Sequence, residues 1–110
     1  MRGRSDLERQ PLSAKPAYRY IRKSDNLPTV EVGEDPIALV KLFNPTGPGS
    51  WYISSYDPET RQAFGAAKIT DFEYGAIDLG ELVAFRGRFG LPIERDLHWT
   101  PRPLSQCEGK

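Results

Sequence analysis

The chain has few of the residues that build metal centres and nucleophilic active sites. Its 110 residues include one cysteine, Cys107, and one histidine, His98. A single cysteine excludes an internal disulfide and a zinc site built from several cysteines. A Cys107–His98 pair would need fixed geometry, and the polar sequence around Cys107 predicts a tail that cannot supply it. The sequence therefore argues against most enzyme classes, and no metal or cofactor is expected.

Long apolar runs are absent as well. No run approaches the roughly 18 apolar residues of a membrane-spanning helix, and the basic N-terminus lacks the apolar segment of a secretory signal. We therefore expect a cytoplasmic protein without membrane contact. Hydrophobic residues make up 38% of the chain and charged residues 27%, with ten glycines and ten prolines. This composition is typical of one small domain with a modest core and many turns.

The net charge is zero, but the charges are unevenly distributed. Residues 1–23 contain seven lysines and arginines against two acidic residues, whereas residues 24–81 contain three against ten. An acidic centre behind a basic end suits a partner that is selected by charge. The same counts would also arise from an ordinary solvated surface.

Strand and turn signals fill the acidic centre. Residues 36–43, "PIALVKLF", are an apolar run that predicts a strand covered on both faces. The turn sequence "DPETR" lies between two alternating runs, which predicts a hairpin over about 50–69. A third strand is expected around Tyr74–Ile77. The predicted fold is α+β, with a small twisted antiparallel sheet of three to five strands.

One helix completes the predicted fold. Asp78 is placed as an N-cap and Glu81 follows at the capping-box spacing, so a helix is expected over about 79–87. Three regions follow from these elements. They are a basic, partly disordered and flexible N-terminal arm (1–29), one α+β domain (30–101) and a frayed tail (102–110).

Four acidic residues in neighbouring turns are candidate site residues: Asp57, Glu59, Asp71 and Glu73. If their carboxylates converged they could bind Mg²⁺, as in a small metal-dependent hydrolase. If they stayed in solvent they could form an acidic contact surface for a basic partner.

The basic arm offers a different candidate. Arg19, Arg22 and Lys23 surround the aromatic residues of "AYRYI". Aromatic side chains stack on bases and cations pair with phosphates, so this segment could contact nucleic acid. A structural arm that anchors the N-terminus would have the same composition.

The order of motifs resembles one known family. The segments "VKLFNP", "WYISSYDPE" and "RGRFGLPIERDLHW" resemble the DUF2958 family of small domains of unknown function, over about residues 38–99. This chain departs from the family pattern at "EYGAIDLGEL", where Asp78 replaces a serine cap. The resemblance implies no catalytic residues. It does imply a context, because members are common on plasmids and integrative elements, often among genes that counter host defence.

Together these points favour a non-enzymatic interaction protein of a phage or mobile element. We expect it to inhibit a host restriction or CRISPR complex by binding it through the acidic residues. The alternatives are a nucleic-acid-binding accessory protein that uses the basic arm, and the metal-dependent hydrolase.

Overall fold

The computed structural model describes residues 20–110. Within that range five antiparallel strands form one sheet in the order β5-β4-β3-β2-β6, and one short α-helix follows β5. The elements are β1 (Ile37–Ala38), β2 (Val40–Phe43), β3 (Ser50–Asp57), β4 (Gln62–Lys68), β5 (Phe72–Asp78), α1 (Leu79–Ala84), β6 (Glu94–Arg95) and β7 (Arg102–Pro103). The predicted small α+β domain is confirmed. Residues 1–19, which include Arg19 and most of the basic arm, lie outside the described residues.

The predicted hairpin is confirmed as β3 and β4. They are antiparallel, and Asp57 at the end of β3 lies opposite Gln62 at the start of β4. The Asp57 carboxylate accepts the backbone N–H of Glu59 at 2.9 Å, the local bond expected of an aspartate that begins a turn. The turn chemistry in the sequence therefore places the hairpin correctly.

A β-bulge changes which side chains of β3 share a face. Simple alternation predicts that Tyr52 and Tyr56 point the same way. The pairing register shifts at Ser54, whose hydroxyl donates to the carbonyl of Phe64 at 3.0 Å. The extra residue moves Tyr56 to the face of Ile53, while Tyr52 stays on the other face.

Both faces of the sheet are covered. The first face packs against α1, Ile93 and the chain around Tyr20. The second face carries a smaller cluster around Tyr52, Leu104 and Cys107. A two-stranded ladder of β1 and β7 brings the C-terminal segment to this second face.

The apolar run over 36–43 forms two strands instead of one. Leu39 separates β1 from β2, and its backbone N–H donates to the carbonyl of Ile53 at 2.9 Å. Because of the break, Ala38 packs on the second face while Val40 packs on the first. Because the run is apolar on both sides, it divides in this way with Ala38, Val40 and Leu42 all buried, although Ile37 at its start stays exposed.

The C-terminal segment differs from the frayed tail expected over 102–110. Leu104 and Cys107 are both buried, and they lie three residues apart in a short 3₁₀ turn that fills the second core. The carboxylate of Asp35 fixes this turn by accepting the backbone N–H of Ser105 at 3.0 Å. The sequence "RPLSQCEGK" looks polar because only two of its residues face inward.

The predicted helix start is confirmed, and the helix is shorter than expected. The Asp78 carboxylate accepts the backbone N–H groups of Gly80 at 2.8 Å and Glu81 at 3.3 Å. The helix ends at Ala84 rather than near Gly87. The extended backbone of Phe85 ends the helix. Two residues later, a Cβ atom on Gly87 would lie 2.6 Å from the Thr46 hydroxyl, so glycine is needed where the chain packs against the 44–49 loop.

Candidate interaction surface at the sheet edge

The four candidate acids do not converge on one site. Asp57 and Glu59 lie at the turn between β3 and β4, whereas Asp71 and Glu73 lie at the turn into β5. These turns are at opposite ends of β4, which has seven residues and therefore spans about 20 Å. Across residues 20–110, no group of three or more His, Cys, Asp or Glu side chains could hold a metal ion. The two pairs of carboxylates are therefore too far apart to bind one shared Mg²⁺ ion.

A different set of acids follows the edge of the sheet. Asp71, Glu73, Asp78 and Glu81 are all exposed along β5 and the first turn of α1. The sequence contains no lysine or arginine between Lys68 and Arg86. Sequence reasoning missed Asp78 and Glu81 as part of an acidic surface because both had been assigned to the helix cap. The long interval without cations was the signal that could have found them.

The strand that carries these acids is the outer strand of the sheet. All seven residues of β5 pair regularly with β4, and no other segment of residues 20–110 pairs with its outer side. We call β5 (Phe72–Asp78) the open edge. Alternate backbone N–H and C=O groups of such a strand point away from the sheet and are available to a partner.

The two faces of the open edge differ in chemistry. Tyr74 lies opposite Ala66, which lies opposite Tyr52, so Tyr74 continues the aromatic second face. The ring of Tyr74 meets the ring of Phe72 edge-on at 5.4 Å and remains 59% exposed. Glu73 points to the first face beside a shallow cleft of about 220 Å³, which is lined by Ala67, Ile69, Thr70, Asp71 and Glu73. Near its start the strand thus presents the aromatic rings of Phe72 and Tyr74 on one side and the Glu73 carboxylate on the other.

The opposite edge is short and occupied. We call β6 (Glu94–Arg95) the covered edge, because the chain around Tyr20–Asp25 lies beside it. The Arg95 guanidinium makes two bonds of 2.8 Å to the Asp25 carboxylate and one of 2.9 Å to the Tyr20 carbonyl. The hydrogen bond from Arg95 holds the pKa of Asp25 below its usual value. The Tyr20 hydroxyl donates to the Ile93 carbonyl at 2.7 Å.

These contacts also show where the described part of the predicted arm lies. Tyr20 and Ile21 are buried in the first core, although the sequence placed residues 1–29 outside the domain. Arg22 and Lys23 have exposed side chains next to this packed segment. The candidate cations Arg22 and Lys23 therefore lie on the surface of the folded domain.

The single cysteine lies in the core rather than in the polar tail that the sequence predicts. Cys107 is fully buried, and its thiol donates to the Pro103 carbonyl at 3.5 Å. Burial raises the pKa of this thiol, which disfavours the reactive thiolate. His98 is exposed. The structure gives Cys107 a packing role in the second core.

Comparison with known protein families shows to which family the chain belongs. The family model of DUF2958, a protein of unknown function, matches residues 12–107. The chain belongs to the DUF2958 family. The DUF2958 match is wider than the 38–99 segment whose motifs show the resemblance. It takes in both the Asp25–Arg95 ion pair and the buried Cys107.

Further comparisons add no activity to the family assignment. No curated protein and no solved structure matches this DUF2958 chain. Among residues 20–110, no helix is long and apolar enough to cross a membrane.

Proposed function

We propose that this DUF2958 protein is a non-enzymatic interaction protein of a mobile element that inhibits a host defence complex. The target is a cytoplasmic restriction or CRISPR complex, and the contact surface is the open edge with its exposed acids. The resemblance to a family that is common on plasmids supplies the biological context. The chemistry of the edge supplies the mode of binding.

The observation that carries the proposal is the placement of the acids. Asp71 and Glu73 lie at the start of β5, and Asp78 and Glu81 lie at its other end, next to the Asp57 turn. All four are exposed along the length of this edge and have no lysine or arginine among them in sequence. Complexes that bind nucleic acid have grooves lined by lysine and arginine, because phosphates must be neutralised there. An acidic edge is complementary to such a groove and would compete with nucleic acid for it.

Charge reversal at the open edge tests the proposal. Cells that carry an active restriction or CRISPR system are transformed with a targeted plasmid, with and without the protein. We expect the wild-type protein to raise transformation efficiency and the double variant Asp71→Lys, Glu73→Lys to lose most of that protection. Glu94→Lys is the matched control, since it reverses an exposed acid on the covered edge.

Two results would contradict the proposal. If the wild-type protein protects against none of the systems, the anti-defence role is wrong. If the double variant protects as well as the control variant, the role stands but the open edge is not the contact surface.

A second candidate function rests on the exposed cations of the N-terminal region. Arg22 and Lys23 have exposed side chains beside a 3₁₀ turn whose Asp25 carboxylate makes its two side-chain bonds to Arg95. A nucleic-acid-binding accessory protein would use them with the basic residues that precede them. Its binding to single-stranded DNA or RNA should weaken with salt and fall further in Arg22→Ala, Lys23→Ala. Binding unchanged in that variant would remove this candidate.

A further inference from the structure

The open edge has unpaired backbone groups as well as exposed acids. We infer that it binds its protein partner by strand addition, with an extended segment of that partner pairing along β5. The inference rests on the proposed function, because it specifies how the same edge would recognise a partner. The occupant is a strand in which basic side chains alternate with β-branched or apolar ones.

The backbone of β5 is suited to such pairing. Natural edge strands are commonly protected by a lysine, a proline, a bulge or a covering segment. β5 contains no lysine or proline, and its register with β4 runs without a shift from Phe72 to Asp78. No segment of residues 20–110 covers it. Backbone donors and acceptors are therefore available on both sides of Gly75, whose φ of 152° makes the middle of the strand irregular.

The side chains of β5 specify the alternation of the added strand. Glu73 and Tyr74 are adjacent, so they point to opposite faces of the sheet. A partner residue directly opposite Glu73 would face a carboxylate and favours lysine or arginine. The next partner residue would face the exposed ring of Tyr74 and favours a β-branched or apolar side chain.

The charge of the edge argues against a second copy of this chain as the occupant. Self-pairing would place two sets of Asp71, Glu73, Asp78 and Glu81 along one seam. β5 itself contains no lysine or arginine that could pair with these acids in the seam. A basic strand from another protein meets no such cost.

The test uses a capped nine-residue peptide of alternating lysine and threonine and the full-length ¹⁵N-labelled protein. We expect saturable shifts of the β5 amide signals. A second peptide with the same side chains carries N-methyl groups on alternate amides, which removes donors needed for pairing but keeps the charge. It should bind roughly tenfold or more weakly, because several backbone hydrogen bonds are lost.

A protein variant locates the binding to the edge. Glu73→Lys should weaken binding of the unmodified peptide by about fivefold. Glu94→Lys on the covered edge should leave it unchanged. Both variants change one exposed acid to lysine, so a general charge effect would alter them equally.

The remaining outcomes overturn the inference. No binding of either peptide, or equal binding of the two, rules out strand addition. Equal binding that Glu73→Lys weakens would leave the acidic surface of the proposed function intact. A dimer detected by light scattering, and dissociated by Glu73→Lys or Tyr74→Lys, would identify a second copy as the occupant instead.

Discussion

The two outer strands of the sheet differ in length and in whether another segment of the chain lies beside them. The covered edge, β6, has two residues and lies beside a segment that is tied to it through Arg95, Asp25 and Tyr20. The open edge, β5, has seven residues and no covering segment within residues 20–110. Unpaired strand edges invite association, and on β5 the exposed acids Glu73 and Asp78 are the charges that oppose pairing with an unsuitable strand.

The two edges should also differ in how much their side chains contribute to the stability of the fold. Contacts at the covered edge are buried or half-buried and should contribute to folding. The side chains of the open edge are mostly exposed and should contribute little to it. Substitutions at the two edges can test this separation, and they should differ widely in their effect on stability.

The largest difference is expected between two tyrosines. Tyr20→Ala at the covered edge should lower the free energy of unfolding by about 3–5 kcal/mol, because it empties a buried site and orphans the Ile93 carbonyl. Tyr74→Ala at the open edge should cost less than about 1 kcal/mol, since its ring is largely exposed. Urea denaturation of both variants measures the difference. Equal losses would mean that the open edge is part of the core.

The ion pair at the covered edge should have the next largest effect. Arg95→Met should destabilise the fold by about 2–3 kcal/mol, because it leaves the half-buried Asp25 carboxylate and the Tyr20 carbonyl without this donor. Glu94→Met on the same strand is the control and should change the thermal midpoint little. A midpoint unaffected by Arg95→Met would show that residues 20–25 are held by other contacts.

Acidification should weaken the same edge. The pKa of Asp25 is lower in the folded state, chiefly because Arg95 donates to its carboxylate. Its stabilising contribution is therefore complete above the unfolded pKa, near 4, and disappears as the pH falls through the folded value. The stability difference between wild type and Asp25→Asn should be largest at neutral pH and should shrink below about pH 4. Denaturation curves from pH 7 to pH 2 would measure it, and a constant difference would refute the assignment.

The smallest effect on folding is expected at the acids of the open edge. Glu73→Lys should change the free energy of unfolding by no more than about 0.5 kcal/mol, because the side chain is exposed. The same variant should lose partner binding if the edge is the contact surface. A large loss of stability would undermine its use as a binding variant and would assign Glu73 a structural role.

Local signals in the sequence predicted the local parts of the fold. The Asp57 turn and the Asp78 cap each depend on bonds to backbone groups two or three residues away, so short motifs suffice to place them. The third strand was expected around Tyr74–Ile77 and spans Phe72–Asp78. These elements fix the hairpin, the open edge and the start of the helix.

Features that depend on distant parts of the chain could not be predicted in this way. The bulge at Ser54 depends on the Phe64 carbonyl of the neighbouring strand, and it reverses the face on which Tyr56 packs. The burial of Cys107 depends on pairing between β7 and β1. No local sequence pattern indicates the Ser54–Phe64 hydrogen bond or the pairing of β7 with β1.

The sequence predicted that the centre of the chain is acidic, but it did not predict which of the acids lie on the same edge. Asp71 and Glu73 lie on the open edge, whereas Asp57 and Glu59 lie at the far end of β4. Counting charge over residues 24–81 showed an acidic centre. Only the strand order shows which of its acids share an edge.

Amide hydrogen exchange of the full-length protein shows directly whether β5 is open in the chain as a whole. We expect the amides of β5 that point away from β4 to exchange rapidly, while the amides of β2 and β3 are protected. Protection along the whole of β5 in the free monomer would contradict an open edge. It would show that another part of the chain already occupies that edge.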